Sequence, residues 1–509
     1  MANNHDTPEN EIKRKPWTVM IYMIADDPAG GELLDQQANR ELDEIIYATL
    51  GGDRDNMHVA VQMDFRNQPD VWRRVVGKGT WVQPESAAAD PATLYGFFDW
   101  VATACPAYRY MLMFWGHSRG PFGLFTDRFS SLIGSQFAEE ELQTYVAQTL
   151  TLRELRVALR NARECLQQNV DIIVFKDCFM STLETAYELK DSATYLIASP
   201  DIVPIPGWPY GEIFKSLSPK IEAEKAAQSI VTALHQHYTY ERNKYGLEEV
   251  TYTLLDTSAL TNVSEPLGAV AKKLSEDPAL RKTLSLPTVT RGDTALADVG
   301  ELCKALQDTP ASAEAAALEK ALREVVFNPA QTTLVELSGK SNVPFANSTD
   351  PVRGVSVFFY PSTKTDLEKS LVAALASHSV YEGLAIKSTG WEEVALDGMP
   401  PDTVPPSSPY QANGSAAVLD MRSMLLPVVL EQLQRGILEE IARSAMGFGK
   451  QVGFGKQVGF GKQVGFGKQV GFGKQVGFGK QVGFAAELRL AKALHLLDPD
   501  RTSHDGVET

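Results

Sequence analysis

The sequence predicts an α/β protein: an open sheet with flanking helices, followed by a separate C-terminal helical unit. Three observations predict it. Short apolar runs alternate with helical patterns as far as about residue 390. A polar, proline-rich stretch then excludes regular structure. Beyond it, two amphipathic helical patterns flank a tandem repeat.

The strands are expected where apolar runs end at polar residues: Trp17 to Ala25, His58 to Phe65, Tyr110 to Trp115, Asp171 to Phe175, Tyr195 to Ala198 and Val250 to Leu255, with Val352 to Tyr360 as a later one. Leu152, Leu155, Leu159, Ala162 and Leu166 recur every three or four residues and make one apolar helix face that packs on such a sheet. The segments are expected to divide into a disordered N-terminus (1–15), the sheet-and-helix domain (16–390), a proline-rich linker (391–414) and a C-terminal helical regulatory unit (415–509). In the last unit Ala416 to Met446 and Ala485 to Leu497 read as helices. Between them, residues 447–482 repeat Gly-Phe-Gly-Lys-Gln-Val six times without substitution.

The chain has 509 residues, and 64 acidic against 48 basic side chains give a formal charge of −16, which excludes an unaided nucleic-acid binder. No apolar run approaches the roughly 18 residues of a membrane helix, and Met1 to Pro16 lacks the apolar core of a secretory signal, so a cytoplasmic location is expected. Cys105, Cys165, Cys178 and Cys303 show no short paired spacing, so neither a disulfide framework nor a zinc site is indicated.

Chemistry in an open α/β sheet gathers beyond the carboxyl ends of its strands. His117 directly follows one strong apolar run and Cys178 another, so adjacent parallel strands would bring them together. A thiolate could then attack a carbonyl while the imidazole protonates the leaving amine. Cys105, Cys165 and Cys303 read instead as small apolar residues.

Six collinear segments resemble the clostripain family of cysteine peptidases, which share the caspase-like α/β fold. They are Trp17-Thr-Val-Met-Ile-Tyr-Met-Ile-Ala-Asp26, Phe114-Trp-Gly-His-Ser118, the segment Phe175 to Glu188 around Cys178, Tyr195-Leu-Ile-Ala-Ser-Pro-Asp201, Gly207-Trp-Pro-Tyr210 and Arg353-Gly-Val-Ser-Val-Phe-Phe-Tyr360. The resemblance covers about residues 16 to 390. It implies Cys178 as nucleophile, His117 as general acid/base, and the backbone N–H groups of Ser118 and Cys178 as oxyanion hole. It also implies protein or peptide substrates cut after Arg, and less readily Lys, in a pocket that Asp201, Asp177, Lys176 and Trp208 would contact. The family usually has an Asp two residues before the nucleophile, where this chain has Lys176. That lysine would point away, pair with an acid, or turn the preference from basic residues, leaving Asp201 as the best pocket acid.

Family members are commonly matured by a cut between the His and Cys segments, which makes Arg128 and Arg153 processing candidates. No cofactor is required, although some relatives use calcium, for which Asp26 and Asp27 are the residues to consider; strand-end aspartates otherwise cap turns. His235 and His237, two apart on a helical stretch, make a poor metal pair. The repeat reads three ways: a flexible spacer left by DNA slippage, a set of hairpin-forming strands, or a multiplied protease site at Lys450, Lys456, Lys462, Lys468, Lys474 and Lys480. In the last reading the chain is a zymogen that cuts itself or is cut by an upstream protease. By analogy alone, such an enzyme also resembles peptidases of prokaryotic defence systems, including CRISPR-linked ones. The competing reading is an inactive homologue, its pocket spoiled by Lys176, that serves as an interaction scaffold.

Overall fold

A strand buried on both faces needs no polar alternation, and the runs that come first in this chain are of that kind. In the computed structural model, residues 13–26, 31–52, 56–65, 70–84, 88–125, 149–200, 203, 207–245, 252–284, 295–327, 354–360 and 378–399 are described. All lie in the first of two units, 1–433; the second is 434–509. In chain order the elements are β1 (Lys15–Ile24), α1 (Gly31–Gly51), β2 (Met57–Asp64), β3 (Asp70–Val75), β4 (Gly79–Pro84), α2 (Pro91–Ala104), β5 (Ala107–Trp115), α3 (Leu152–Leu166), β6 (Val170–Lys176), α4 (Leu183–Leu189), β7 (Ala193–Ala198), α5 (Tyr210–Lys215), α6 (Ala223–Tyr245), β8 (Thr253–Asp256), α7 (Thr261–Glu276), α8 (Pro278–Thr283), β9 (Leu296–Asp298), α9 (Val299–Ala305), α10 (Ser312–Val325), β10 (Val326–Phe327), β11 (Ser356–Phe358), α11 (His378–Tyr381) and α12 (Trp391–Leu396).

The eleven strands among the described residues do not form one sheet. Nine of them run in the order β10-β8-β7-β6-β5-β1-β2-β3-β4, while β9 and β11 form a separate antiparallel pair. The inner strands β7, β6, β5, β1 and β2 are parallel, and antiparallel strands close both edges. The expected α/β open sheet with flanking helices is therefore present. From β1 the chain steps outward to β2, then returns to the other side of β1 to lay down β5, β6 and β7. That reversal is the switch point at which ligands of open sheets bind.

Side chains cap the starts of α2 and α3. Thr151 and Glu154 form a reciprocal capping box on α3, and Asp90 accepts from the Ala92 N–H ahead of Pro91 on α2. One sheet face carries the aromatic cluster of Tyr22, Phe97 and Phe125, continued by Phe114, whose ring stacks on Phe175 at 5.5 Å. Trp115 and Lys176 point to the opposite face, where they meet Glu41 of α1.

Two expectations need correction. The strand foreseen over Val352 to Tyr360 is ordered as a strand only from Ser356 to Phe358, and it pairs with β9 outside the main sheet. Residues 391–396, expected to belong to a linker, are instead helical: Trp391 is fully buried in α12 and its indole N–H donates to the Phe358 carbonyl at 2.9 Å. The C-terminal helices and the 447–482 repeat lie outside the described residues.

Candidate active site

Strands β5 and β6 are parallel neighbours whose last paired residues are Trp115 and Lys176. His117 and Cys178 each stand two positions past that pair, so equal chain lengths carry them beyond the sheet edge on strands about 4.8 Å apart. The two loops are joined directly. The Ser118 hydroxyl donates to the Cys178 carbonyl oxygen. Gly120, at φ +57°, lies so close to the cysteine loop that a Cβ there would sit 2.9 Å from the Phe179 carbonyl oxygen. Phe179 itself adopts φ +60°, a left-handed conformation that a bulky residue holds only when its surroundings impose it.

The Cys178 side chain is 6% exposed, and its sulfur accepts the Val203 N–H at 3.4 Å. His117 and Ser118 are half-buried beside it. The remaining thiols differ in kind: burial pushes Cys105 up to about 11 and Cys303 up to about 12, and raises Cys165, whose thiol donates to the Ala162 carbonyl. A thiol that resists ionisation is a poor nucleophile.

Asp177 is fully buried, and neither carboxylate oxygen has a hydrogen-bond partner among the described residues. Burial raises its pKa to about 7, against the opposing pull of the His117 and Lys176 charges. Lys176 does not reach into a substrate pocket. Its ammonium pairs with the buried Glu41 carboxylate and lies 5.3 Å from the centre of the Trp115 ring. Of the three fates open to this lysine in the sequence, pairing with an acid is the one observed.

Trp208 is buried edge-on against Tyr252 at 5.7 Å, and the Gly207 carbonyl before it is bonded to His237 Nε2 at 2.8 Å. His237 thus braces this turn, a role its sequence spacing did not show. Arg153 sits in the first turn of α3 and donates to the Ser379 carbonyl at 3.1 Å. A peptide bond in a capped helix is not the extended substrate a peptidase needs, so this position is disfavoured for processing. Asp201, Arg128 and the six repeat lysines Lys450, Lys456, Lys462, Lys468, Lys474 and Lys480 fall outside the described residues, as does Asp27. Calcium takes six to eight oxygen ligands. Among the described residues there is no group of three or more His, Cys, Asp or Glu able to hold a metal.

Glu41 was missed by the sequence reading. Its signal was there: it lies three residues after Ala38 and four before Ile45, within the apolar stripe of α1.

An open sheet that presents a cysteine and a histidine together at the carboxyl ends of adjacent parallel strands defines the class, a thiol hydrolase on a caspase-like frame. The clostripain family model matches residues 21–350, more than half of the chain, and the chain belongs to that family of cysteine peptidases. It is therefore a hydrolase. Among solved structures, a secreted C11 cysteine protease from Bacteroides thetaiotaomicron bound to an irreversible peptide inhibitor aligns with TM-score 0.51 and 18% identity, over 74% of this chain and 99% of that one. An inactive zymogen C11 protease from Parabacteroides distasonis aligns with TM-score 0.46 and 20% identity, over 68% and 92% of the two chains. The first likeness shows the shared fold. No protein of curated function matches the sequence. No helix among the described residues is long and apolar enough to cross a membrane.

Proposed function

We propose that this peptidase is an endopeptidase that cleaves proteins after basic residues, Arg above Lys, through a Cys178–His117 dyad, and that it is made as a zymogen activated by proteolysis. The observation that carries the dyad is the β5–β6 register, which puts both residues equally far beyond one sheet edge. The Cys178 thiolate attacks the scissile carbonyl carbon. The backbone N–H groups of Cys178 and Ser118 receive the negative charge that develops on its oxygen. Protonated His117 gives its proton to the leaving amine, the C–N bond breaks, and a thioester remains on Cys178. A water deprotonated by His117 then hydrolyses the thioester and restores the thiol. No cofactor enters these steps.

Asp201 supplies the acid that a buried P1 cation requires. Supporting this, Val203, two residues further on, is in contact with the Cys178 sulfur. Lys176 is neutralised by Glu41, which removes the reason for treating the chain as an inactive scaffold.

Activation by a cut after Arg128 is compatible with the frame. Leu124 and Leu150 exchange two 2.8 Å hydrogen bonds, so both ends of segment 126–148 stay clamped beside His117 when the segment is opened. The repeat lysines are a second set of candidate cuts, made by the enzyme itself or by an upstream protease. Four free cysteines suit a reducing, cytoplasmic compartment.

The test is incubation of wild type and Cys178→Ala with fluorogenic peptides bearing Arg, Lys or Asp at P1, with fragment masses read from the same samples. Turnover after Arg that disappears in the variant, with fragments ending at Arg128 or at repeat lysines, is expected. Turnover that survives Cys178→Ala, or that prefers Asp, refutes the assignment.

A further inference from the structure

The Glu41 side chain is 0% exposed, yet it gathers four donors from four different directions. Oε1 accepts from Lys176 Nζ and, at 3.2 Å, from Gln37 Nε2. Oε2 accepts from Trp115 Nε1 at 2.9 Å and from the Tyr210 hydroxyl. Trp115 and Lys176 are the last register pair of β5 and β6, each two residues before His117 and Cys178. Tyr210 opens α5 directly after the Gly207-Trp-Pro turn, and burial together with the Glu41 charge raises its pKa well above the ordinary value, so it acts as a neutral donor.

We propose that Glu41 is the positioning residue of this peptidase: one carboxylate on α1 ties the ends of both dyad-bearing strands and thereby sets how the His117 imidazole faces the Cys178 sulfur. The inference rests on the dyad reading above. Stability alone is a poor reason for the arrangement, because a buried ion pair is often matched or bettered by apolar side chains of equal volume. Directionality is what apolar packing lacks. A carboxylate with both oxygens doubly engaged admits one placement of its donors, whereas a Leu–Met contact tolerates sliding. Sliding matters here, since a displacement of about 1 Å at reacting atoms costs on the order of a hundredfold in rate. Glu41 touches no substrate and is not itself catalytic.

The experiment uses the full chain in five forms: wild type, Glu41→Gln, the double variant Glu41→Gln/Lys176→Met, Trp115→Phe, and His117→Ala as the control for the dyad. Three readouts are taken from each: thermal melting, kcat and KM on an Arg-P1 peptide, and the pH profile of iodoacetamide alkylation at Cys178, followed by the mass of its peptide. Alkylation reads the pairing of thiolate and imidazolium whether or not the chain has been processed. Glu41→Gln alone strands the Lys176 charge and is expected to melt lower. The double variant removes both charges. It is expected to melt near wild type while kcat falls at least tenfold, KM stays within twofold, and the alkylation shoulder at low pH is lost. Trp115→Phe, which deletes one N–H and no charge, is expected to shift kcat and the alkylation profile in the same direction, and it decides the matter if the double variant fails to fold. A folded double variant or Trp115→Phe with wild-type kcat and an unchanged alkylation profile overturns the proposal. A His117→Ala variant that keeps the low-pH shoulder refutes the dyad instead, without reference to Glu41.

Discussion

Asp177→Asn should change how stability responds to pH, and the size of the change follows from burial. In the unfolded chain the carboxyl ionises near its ordinary 3.8, whereas in the folded protein desolvation holds it to about 7. Below pH 3.8 the group is protonated in both states and contributes nothing. As pH rises from about 4 to about 7 the unfolded state releases its proton first, so unfolding is favoured progressively; above 7 both states are ionised and the penalty is constant. Carrying a pKa from 3.8 to about 7, at about 1.4 kcal/mol per decade, corresponds to about 4 kcal/mol. The assay is urea unfolding of Cys178→Ala and Cys178→Ala/Asp177→Asn from pH 4 to pH 8, the alanine preventing self-digestion. Glu184, raised to about 7, Asp171, raised to about 6, and His58, lowered to about 4, titrate in both proteins and cancel in the difference. The stability of the Asn variant relative to its parent should climb by about 4 kcal/mol over that range, while the amide contributes only a constant offset. Parallel profiles would show that Asp177 is not desolvated and that the buried carboxylate behind the nucleophile is misplaced.

Two further substitutions probe the contact between the histidine and cysteine loops. Gly120→Ala places a methyl group 2.9 Å from the Phe179 carbonyl oxygen at φ +57°, and should destabilise the protein by about 2–4 kcal/mol in urea melts, with kcat falling more than KM changes. Ser118→Ala removes the hydroxyl bonded to the Cys178 carbonyl; it should cost about 1 kcal/mol of stability and several-fold in kcat, and turnover equal to wild type would show that this tie does not hold the site.

The legible parts of the fold were those where one physical demand dominates. Strands β1, β5 and β6 are covered on both faces along most of their length and read largely as apolar runs, while β2 is buried throughout but carries His58, Gln62 and Asp64. Strand β3 was not anticipated because Arg73 and Arg74 interrupt its pattern, and β4 because Gly79-Thr-Trp-Val-Gln-Pro84 offers only two apolar residues in a row. Arg73 is nevertheless accommodated, its guanidinium bonded to Gln62 at 2.8 Å and lying over the Trp100 ring. The placement of His117 and Cys178 beyond one sheet edge was readable because a parallel register gives neighbouring strands equal overhang. The fate of Lys176 was not, since its partner Glu41 is 135 positions away and nothing local marks the pair.

The loop that carries Cys178 is held by buried carboxylates on both sides, and this explains how it sustains an unfavourable backbone. Ahead of Cys178, Lys176 is bound to Glu41 under one sheet face. Behind it, Glu184 Oε1 accepts the Phe358 N–H at 2.7 Å and the Tyr381 hydroxyl at 2.6 Å, while Glu188 meets Arg156 at 2.8 Å and the Ala385 N–H at 2.6 Å. Ser181 adds a side-chain bond to the Gly354 carbonyl at 2.6 Å and a backbone bond from the Ser356 N–H at 2.9 Å. Phe179 at φ +60° costs on the order of 1–2 kcal/mol, a cost that an unanchored loop would relieve by relaxing. Anchored at Lys176 and again from Ser181 to Glu188, the loop has no such freedom. The later segments around Phe358, Tyr381 and Ala385 therefore support the Cys178 loop although none follows β5 or β6, and loosening them should be felt at Cys178 before it is felt in the central sheet.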